Sequence, residues 1–397
     1  MSSKDIDKSV ADQSSASWLY DPRWRGIASQ LAVVLLLAWG LYEIVVNTQA
    51  NLTRLNQNFG YDFWNKSSGF DLSSSLISYS SSSSYGRAII VGFLNTVLVA
   101  VVGIIFATML GFLIGIMRLS KNWLVSNVAL AYVEIVRNIP LLLQLLVWYS
   151  LVLKPLPGVR DAISIFGSVF ISNRGVVIPA PSFDSGAVVS LVLLIAAIIG
   201  SFLLARWAKK RQENTGQTFP TVWVSIAAIV SAPIIGLAIM GWPIHFDIPE
   251  RAGFNFRGGA TMVPEFVALV LGLSVYTASN IAEIVRSGIQ SVSRGQSEAS
   301  GALGLRHNQV LRLVIIPQAF RVIIPPLASQ YLNLTKNSTL AIAIGFPDLL
   351  YTGGTTINQT GKSIEVVIIW IVVYLSLSLL TAAFMNWFNS RMKLVER

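Results

Sequence analysis

The sequence predicts an all-α, polytopic membrane protein of about eight transmembrane helices, and three observations predict it. Of the 397 residues, 53% are hydrophobic and only 12% are charged. That is too little charge to cover a soluble protein of this length. The apolar residues fall into eight runs long enough to cross a bilayer. Lysine and arginine gather in alternate connections between those runs, as a fixed orientation requires.

Residues 1–26 are polar and of mixed charge, a tail without expected fold. Residues 27–46 form the first span. A cleaved signal peptide would need a short basic start and a shorter core, so this run is expected to be a retained anchor. The connection 47–85 has few charges, and nine of the twelve residues 73–84 are serine. Such a low-complexity run is expected to be flexible. Asn65-Lys66-Ser67 within it fits the glycosylation pattern, which is too short to carry weight.

The second span, 87–117, contains Gly111 and Gly115 at GxxxG spacing, which permits close helix contact. The third, 128–153, is interrupted by Pro140. A Pro- and Gly-rich polar connection (154–186) leads to spans at 187–205 and 222–242, with Arg206, Lys209, Lys210 and Arg211 after the first of them. Another loop, 245–263, precedes the sixth span, 264–285. The seventh, 309–332, carries Pro317, Pro325 and Pro326, and the eighth is 364–388.

Eight spans place both ends on one side. With that side cytoplasmic, 17 Lys and Arg lie inside and 10 outside, leaving Arg137 and Arg321 near or within spans. This distribution accounts for the net charge of +10 better than a nucleic-acid partner does. The absence of cysteine excludes disulfides and thiolate sites, and two distant histidines, His245 and His307, offer no metal site. Gly361-Lys362-Ser363 imitates the end of a phosphate-binding loop. However, Thr356 stands where that loop needs glycine, so no nucleotide site is expected.

The polar stretch 296–317 stands apart from this apolar background. Ser293 and Gln296 have capping-box spacing, with Glu298 expected in the first helical turn. Ala299, Ala302 and Leu303 share a face, Gly304 supplies a left-handed stop, Asn308 can cap the next helix, and Pro317 kinks it. Glu298-Ala299-Ser300, three residues, Gly304, nine residues, then Val314-Ile315-Ile316-Pro317 resembles the cytoplasmic EAA loop of importer-type ABC permeases. The departures are Ser300 for a second alanine, and Val314 and Ile316 for Ile and Leu. Three further segments resemble the polar amino-acid permeases: 132–142, with Glu134, Arg137, Asn138 and Pro140; 276–286, with Asn280, Glu283 and Arg286; and Lys336-Asn337-Ser338-Thr339. Glu-Ile-Val-Arg occurs twice, from Glu134 to Arg137 and from Glu283 to Arg286. Three-residue spacing puts each Glu beside its Arg, so an ion pair is expected in both. Such pairs either neutralise buried charge or line the inner end of a path.

The resemblance implies a five-helix core of the type I ABC importer kind, covering 85–153 and 264–388 within a permease domain of 85–390. The segment 154–263 is then an insertion with two extra spans, 27–84 an added helix and serine-rich periplasmic loop, and 391–397 a cytoplasmic tail. These additions are similar to those of the larger permease of general L-amino-acid transporters. Implied partners are a second, smaller permease chain, an ABC ATPase homodimer carrying ATP and Mg, and a periplasmic amino-acid-binding protein in the inner membrane of a Gram-negative bacterium. Glu298, Ala299, Ser300, Gly304 and Pro317 would couple to that ATPase. A secondary transporter would instead carry lone ionisable groups at mid-membrane, and an enzyme a convergent reactive set. The few intramembrane carboxylates, Glu134 and Glu283 among them, lie nearer the inner ends of their spans.

Overall fold

The computed structural model describes residues 22–54, 58–184, 186–242 and 244–392. The far ends of both expected tails lie outside that range. Among the described residues, seven helices are long and apolar enough to cross a membrane, and a bent pair makes an eighth candidate. The first, α1 (Pro22–Arg54), has no buried residue in its apolar window. Apolar on every side, it is suited to lipid or to another chain rather than to this core.

The centre is a seam between α2 (Tyr85–Met117) and α7 (Pro264–Gln290). A Cβ at Gly111 would lie 2.6 Å from Ile281 Cβ, and one at Gly115 2.8 Å from Val285 Cβ and 2.9 Å from the Ala282 carbonyl. Only glycine lets the two backbones approach this closely. Gly111→Ile should therefore overpack the seam by about 1–3 kcal/mol. Gly40→Ile in α1, where nothing lies within 4 Å, is the control. Thermal melting of the purified protein should fall for the first substitution and hold for the second; equal melting would refute the seam's importance.

The same contacts show that α2 and α7 run in parallel, since Ser274 meets the Gly103 carbonyl (3.4 Å) while Val285 meets Gly115. An odd number of crossings must then separate them. Two are supplied by α5 (Ala187–Thr215) and α6 (Thr221–Ile239), which pack as a hairpin through Gly236 and a Ser190 hydroxyl donating to the Pro233 carbonyl at 2.7 Å. The third is the bent pair, α3 (Trp123–Asn138) with α4 (Leu141–Val147) and its π-helical extension Trp148–Leu153. Counted as one broken span, it brings the candidate crossings among the described residues to eight.

After α7 come a short helix, α8 (Arg294–Ala302), then a continuous rod: α9 (His307–Val310), a π turn (Leu311–Ile315) and α10 (Ile316–Asn337). A short α11 (Leu349–Thr360) and the last long helix, α12 (Ser363–Met392), complete the bundle. Its apolar core joins Leu145, Leu269, Leu273, Ile281, Ile323 and Leu334.

The two connections flanking the α5–α6 hairpin are not irregular. They hold eight short strands. β1 (Ile163–Ile165), β2 (Val169–Ser172), β3 (Gly175–Ile178) and β8 (Ala260–Met262) form one antiparallel sheet, while β4 (Ala180–Phe183) pairs with β5 (Ile244–Asp247) and β6 (Glu250–Ala252) with β7 (Asn255–Arg257). Buried Phe170 and Val177 pack with Phe256 beneath them. Pairing between β3 and β8 spans the whole hairpin, a register that local sequence does not announce.

The serine-rich loop is likewise not free. Phe63, 1% exposed, packs with Leu349 and Val366, and Arg87 donates to the Ser78 carbonyl (2.6 Å) and hydroxyl (2.7 Å). Lys362 bridges Asp62 (3.0 Å) and Glu365 (3.8 Å), and Lys362 with Lys66 holds the Asp62 carboxyl down at about 2. The anchoring residues Phe63, Arg87 and Lys362 lie outside the serine run, so its composition misleads.

Candidate functional site

The short helix α8 is built for exposure. Ser293 is its N-cap by backbone conformation, but its side chain makes no capping bond. Gln296 is turned instead toward Gln318, whose amide donates to it at 3.4 Å, so the expected capping box is absent. Because the helix begins at Arg294, Glu298 falls in its second turn. Ser300 is buried, whereas Glu298, Ala299 and Ala302 are exposed and Leu303 is 82% exposed.

Gly304 takes φ +78° and closes the helix. Its N–H donates to the Gly301 carbonyl (2.9 Å) and that of Leu305 to the Ser300 carbonyl (3.2 Å), the double bond of a Schellman stop. The next helix is capped at Arg306, whose N–H donates to Gln309 Oε1 at 2.9 Å, and Asn308 sits inside the first turn instead of capping it. Pro317 follows the π turn. An α-helical path would drive its ring into the carbonyl four residues back, and the wider turn relieves that clash.

Pro140 ends α3, with Ile139 extended before it (φ −97°, ψ 126°), and the two halves of the span meet at 104°. Such a break strands carbonyls where no water can serve them. Gln144 resolves this: its amide donates to the Val136 (2.8 Å) and Ile139 (2.9 Å) carbonyls. Sequence reasoning passed over Gln144, although a lone buried amide one turn after a mid-span proline is a usable signal.

The two Glu-Ile-Val-Arg segments behave differently. Glu283 pairs with Arg286 and also with Arg118 from the end of α2; Arg286 Nε lies 3.2 and 3.3 Å from the two carboxylate oxygens. Arg118, the residue that follows α2, completes this trio. Glu134 and Arg137 form no ion pair among the described residues. The face of α3 turned inward carries Ala129, Tyr132 and Val133, with the Tyr132 hydroxyl donating to the Val275 carbonyl (2.7 Å), so both charges project outward. Asn138 donates to the Glu134 carbonyl (2.7 Å) and Asn280 to the Tyr276 carbonyl (3.2 Å). Lys336 is exposed at the end of α10, where Ser338 and Thr339 bond back to the Thr335 (2.7 Å) and Lys336 (2.8 Å) carbonyls; Asn337 is half-buried.

No hydrogen bond or ion pair among the described residues joins the Glu134, Glu283 and Lys336 groups. A cavity of about 710 Å³ does open beside the coupling end, but Phe112, Ile116, Ile289, Leu311, Ile316 and Phe320 make it apolar, and none of the expected path residues lines it.

The described residues thus form a bundle of up to eight candidate membrane spans with a short polar helix at one end. The chain belongs to the family of binding-protein-dependent transport system inner membrane components, whose model matches residues 107–394. It is 53% identical to the general L-amino acid transport system permease protein AapQ of Rhizobium johnstonii, over 96% of this chain and 95% of that one. It is 45% identical to the putative amino-acid ABC transporter permease protein YhdX of Escherichia coli (98% and 97% covered). A third relative, 43% identical with 96% of each chain covered, is the glutamate/glutamine/aspartate/asparagine transport system permease protein BztB of Rhodobacter capsulatus.

Proposed function

We propose that this chain is the permease subunit of an ATP-driven importer that carries L-amino acids across the bacterial inner membrane by alternating access. The observation that carries the reading is α8, whose Ala299, Ala302 and Leu303 stand exposed just before the stop at Gly304. Small side chains there leave room for another protein's backbone. An ABC ATPase dimer, binding ATP and Mg, fits that surface through Glu298, Ala299 and Gly304, with Ser300 buried beneath them and bonded to the Gln296 carbonyl, and the widened turn before Pro317 passes its motion into α10. Nucleotide and metal are assigned to that ATPase rather than to this chain. A smaller homologous permease and a periplasmic binding protein complete the machine, and nucleic acid has no part in it. The relatives AapQ, YhdX and BztB, named as amino-acid permeases, support an amino-acid substrate.

A zwitterion offers an ammonium and a carboxylate, and the path residues match both. Glu134, Arg137 and Asn138 present an outward face before the break at Pro140. Asn280, Glu283 and Arg286 stand at the inner end of α7, and Lys336, Asn337, Ser338 and Thr339 lie where α10 ends. The deciding experiment reconstitutes the chain with its ATPase, sister permease and binding protein and assays ATP hydrolysis against a panel of amino acids. Stimulation by several L-amino acids is expected; indifference to all of them would overturn the reading.

Orientation is part of the proposal, with both termini cytoplasmic and the loop before Tyr85 periplasmic. Ser82 and Thr215 are both exposed, and the chain has no cysteine to give background. An impermeant thiol reagent on intact inner-membrane spheroplasts should label Ser82→Cys and spare Thr215→Cys. The reverse pattern would invert the topology.

A further inference from the structure

A sealed cluster of polar groups lies where α2, α11 and α12 meet, far from the coupling helix in sequence and contact. Asn95 and Asp348 are both 0% exposed. The Asn95 amide donates to the Ser74 (3.0 Å) and Pro347 (2.9 Å) carbonyls, which leaves its Oδ1 without a donor. Asp348 Oδ1 caps α11 by accepting from the Tyr351 N–H (2.8 Å), and its Oδ2 has no donor either. The Tyr374 hydroxyl is also buried and unpartnered.

The threonine and tryptophan donors around it are already spent. Thr96 donates to the Gly92 carbonyl (2.9 Å), Thr352 to the Asp348 carbonyl (3.0 Å) and Trp370 to the Leu349 carbonyl (3.0 Å). Packing is tight, since a Cβ at Gly92 would lie 2.7 Å from the Asp348 carbonyl oxygen. Basic groups near this end are engaged elsewhere: Arg87 by Ser78, and Lys362 by Asp62 and Glu365. The titratable group facing Asp348 from α12 is Tyr374; α2 brings none, and α11 brings the backbone N–H groups of Leu350 and Tyr351. Two buried acceptors thus lie at this junction with no cation beside them, where the backbone N–H groups at the start of α11 and the unpartnered Tyr374 hydroxyl are the donors at hand.

A bare carboxylate in such surroundings is strongly disfavoured, and the cheapest remedy is to keep its proton. We propose that Asp348 is held as the neutral acid in the folded protein, its Oδ2–H serving as the donor that ties α11 to α2 through Asn95. The inference does not rest on the transport reading. Burial pushes the Asp348 carboxyl up to about 7, against the smaller downward pull of the backbone N–H groups that cap onto it. Between the ordinary carboxylate range and about 7, the folded chain holds a proton that the unfolded chain has released, so stability is greatest in acid and falls as pH rises to about 7.

Asparagine is the isosteric test. In Asp348→Asn, Oδ1 still caps α11 and the amide N–H takes the place of the acid hydroxyl at every pH. The full-length chain, purified with its partner subunits, is melted between pH 5 and pH 8 in sodium chloride and in choline chloride. The wild type should lose about 2 °C or more over that range. The substituted protein should lose less and melt higher than the wild type at pH 8. Infrared spectra at pH 5 should show a protonated-carboxyl carbonyl band that the substitution removes. The proposal is overturned if wild type and Asp348→Asn share one pH profile, or if that band is unchanged. It is equally overturned if sodium raises the melting of the wild type alone, which would place a metal cation rather than a proton between the two acceptors.

Discussion

Uptake is expected to stop in Ala299→Trp and in Gly304→Asp, with both proteins reaching the membrane in normal amounts. That result is expected from two separate causes. Ala299 is exposed on α8 beside Ala302 and Leu303. An indole there removes the shallow surface an ATPase needs without disturbing anything inside the chain. Gly304 sits at φ +78° with nothing within 4 Å of where a Cβ would be, so a substitution meets backbone strain but no clash. Leaving that conformation undoes the closing bonds at Gly301 and Ser300, and holding it costs about 1 kcal/mol or more. Gly304→Asn, which tolerates the left-handed region, should keep more uptake than Gly304→Val. Uptake of labelled amino acid and co-purification of the ATPase are the measurements. Full transport by Ala299→Trp would mean that α8 faces only solvent.

Glu283→Ala is expected to be the most damaging single change of charge. Its carboxylate serves Arg118, whose side chain is 11% exposed, and Arg286, 28% exposed. Removing it leaves two guanidinium groups facing each other in a poorly solvated place, at a cost of about 3 kcal/mol, the low end for a buried pair. Glu134→Ala removes a carboxylate that holds no ion pair and should leave folding intact. The yield of monodisperse protein, with its melting temperature, reads both. Similar yields for the two would mean that the Arg118–Glu283–Arg286 trio is no more structural than an exposed charge.

These residues also show how far the sequence could be read. The spans were legible because twenty apolar residues in succession have few other fates. Gly304 was legible because a small residue after a helical stretch has a conformational use of its own. Pair spacing proved permissive only: the same Glu-x-x-Arg gave a bridge at Glu283, where Arg118 and neighbouring helices restrict the side chains, and none at Glu134, where solvation competes. Arg118 could not be assigned, since its partner lies 165 residues away. The strands escaped notice for the same reason, β3 and β8 being brought together only by the hairpin between them. Gln144, in contrast, was readable and went unread.

The glycine seam has a consequence for how the protein is made. Its two halves, at Gly111 and Ile281, are separated by three crossings that must enter the bilayer first. While the ribosome works through them, α2 waits without the neighbour that will cover its glycines. Its nearly unbroken apolar sequence makes that wait tolerable, because lipid alone can hold it. The core of this protein is therefore assembled late, by lateral association of helices already inserted, and a stall anywhere between residues 118 and 264 would leave a membrane-embedded intermediate with its central contact still open.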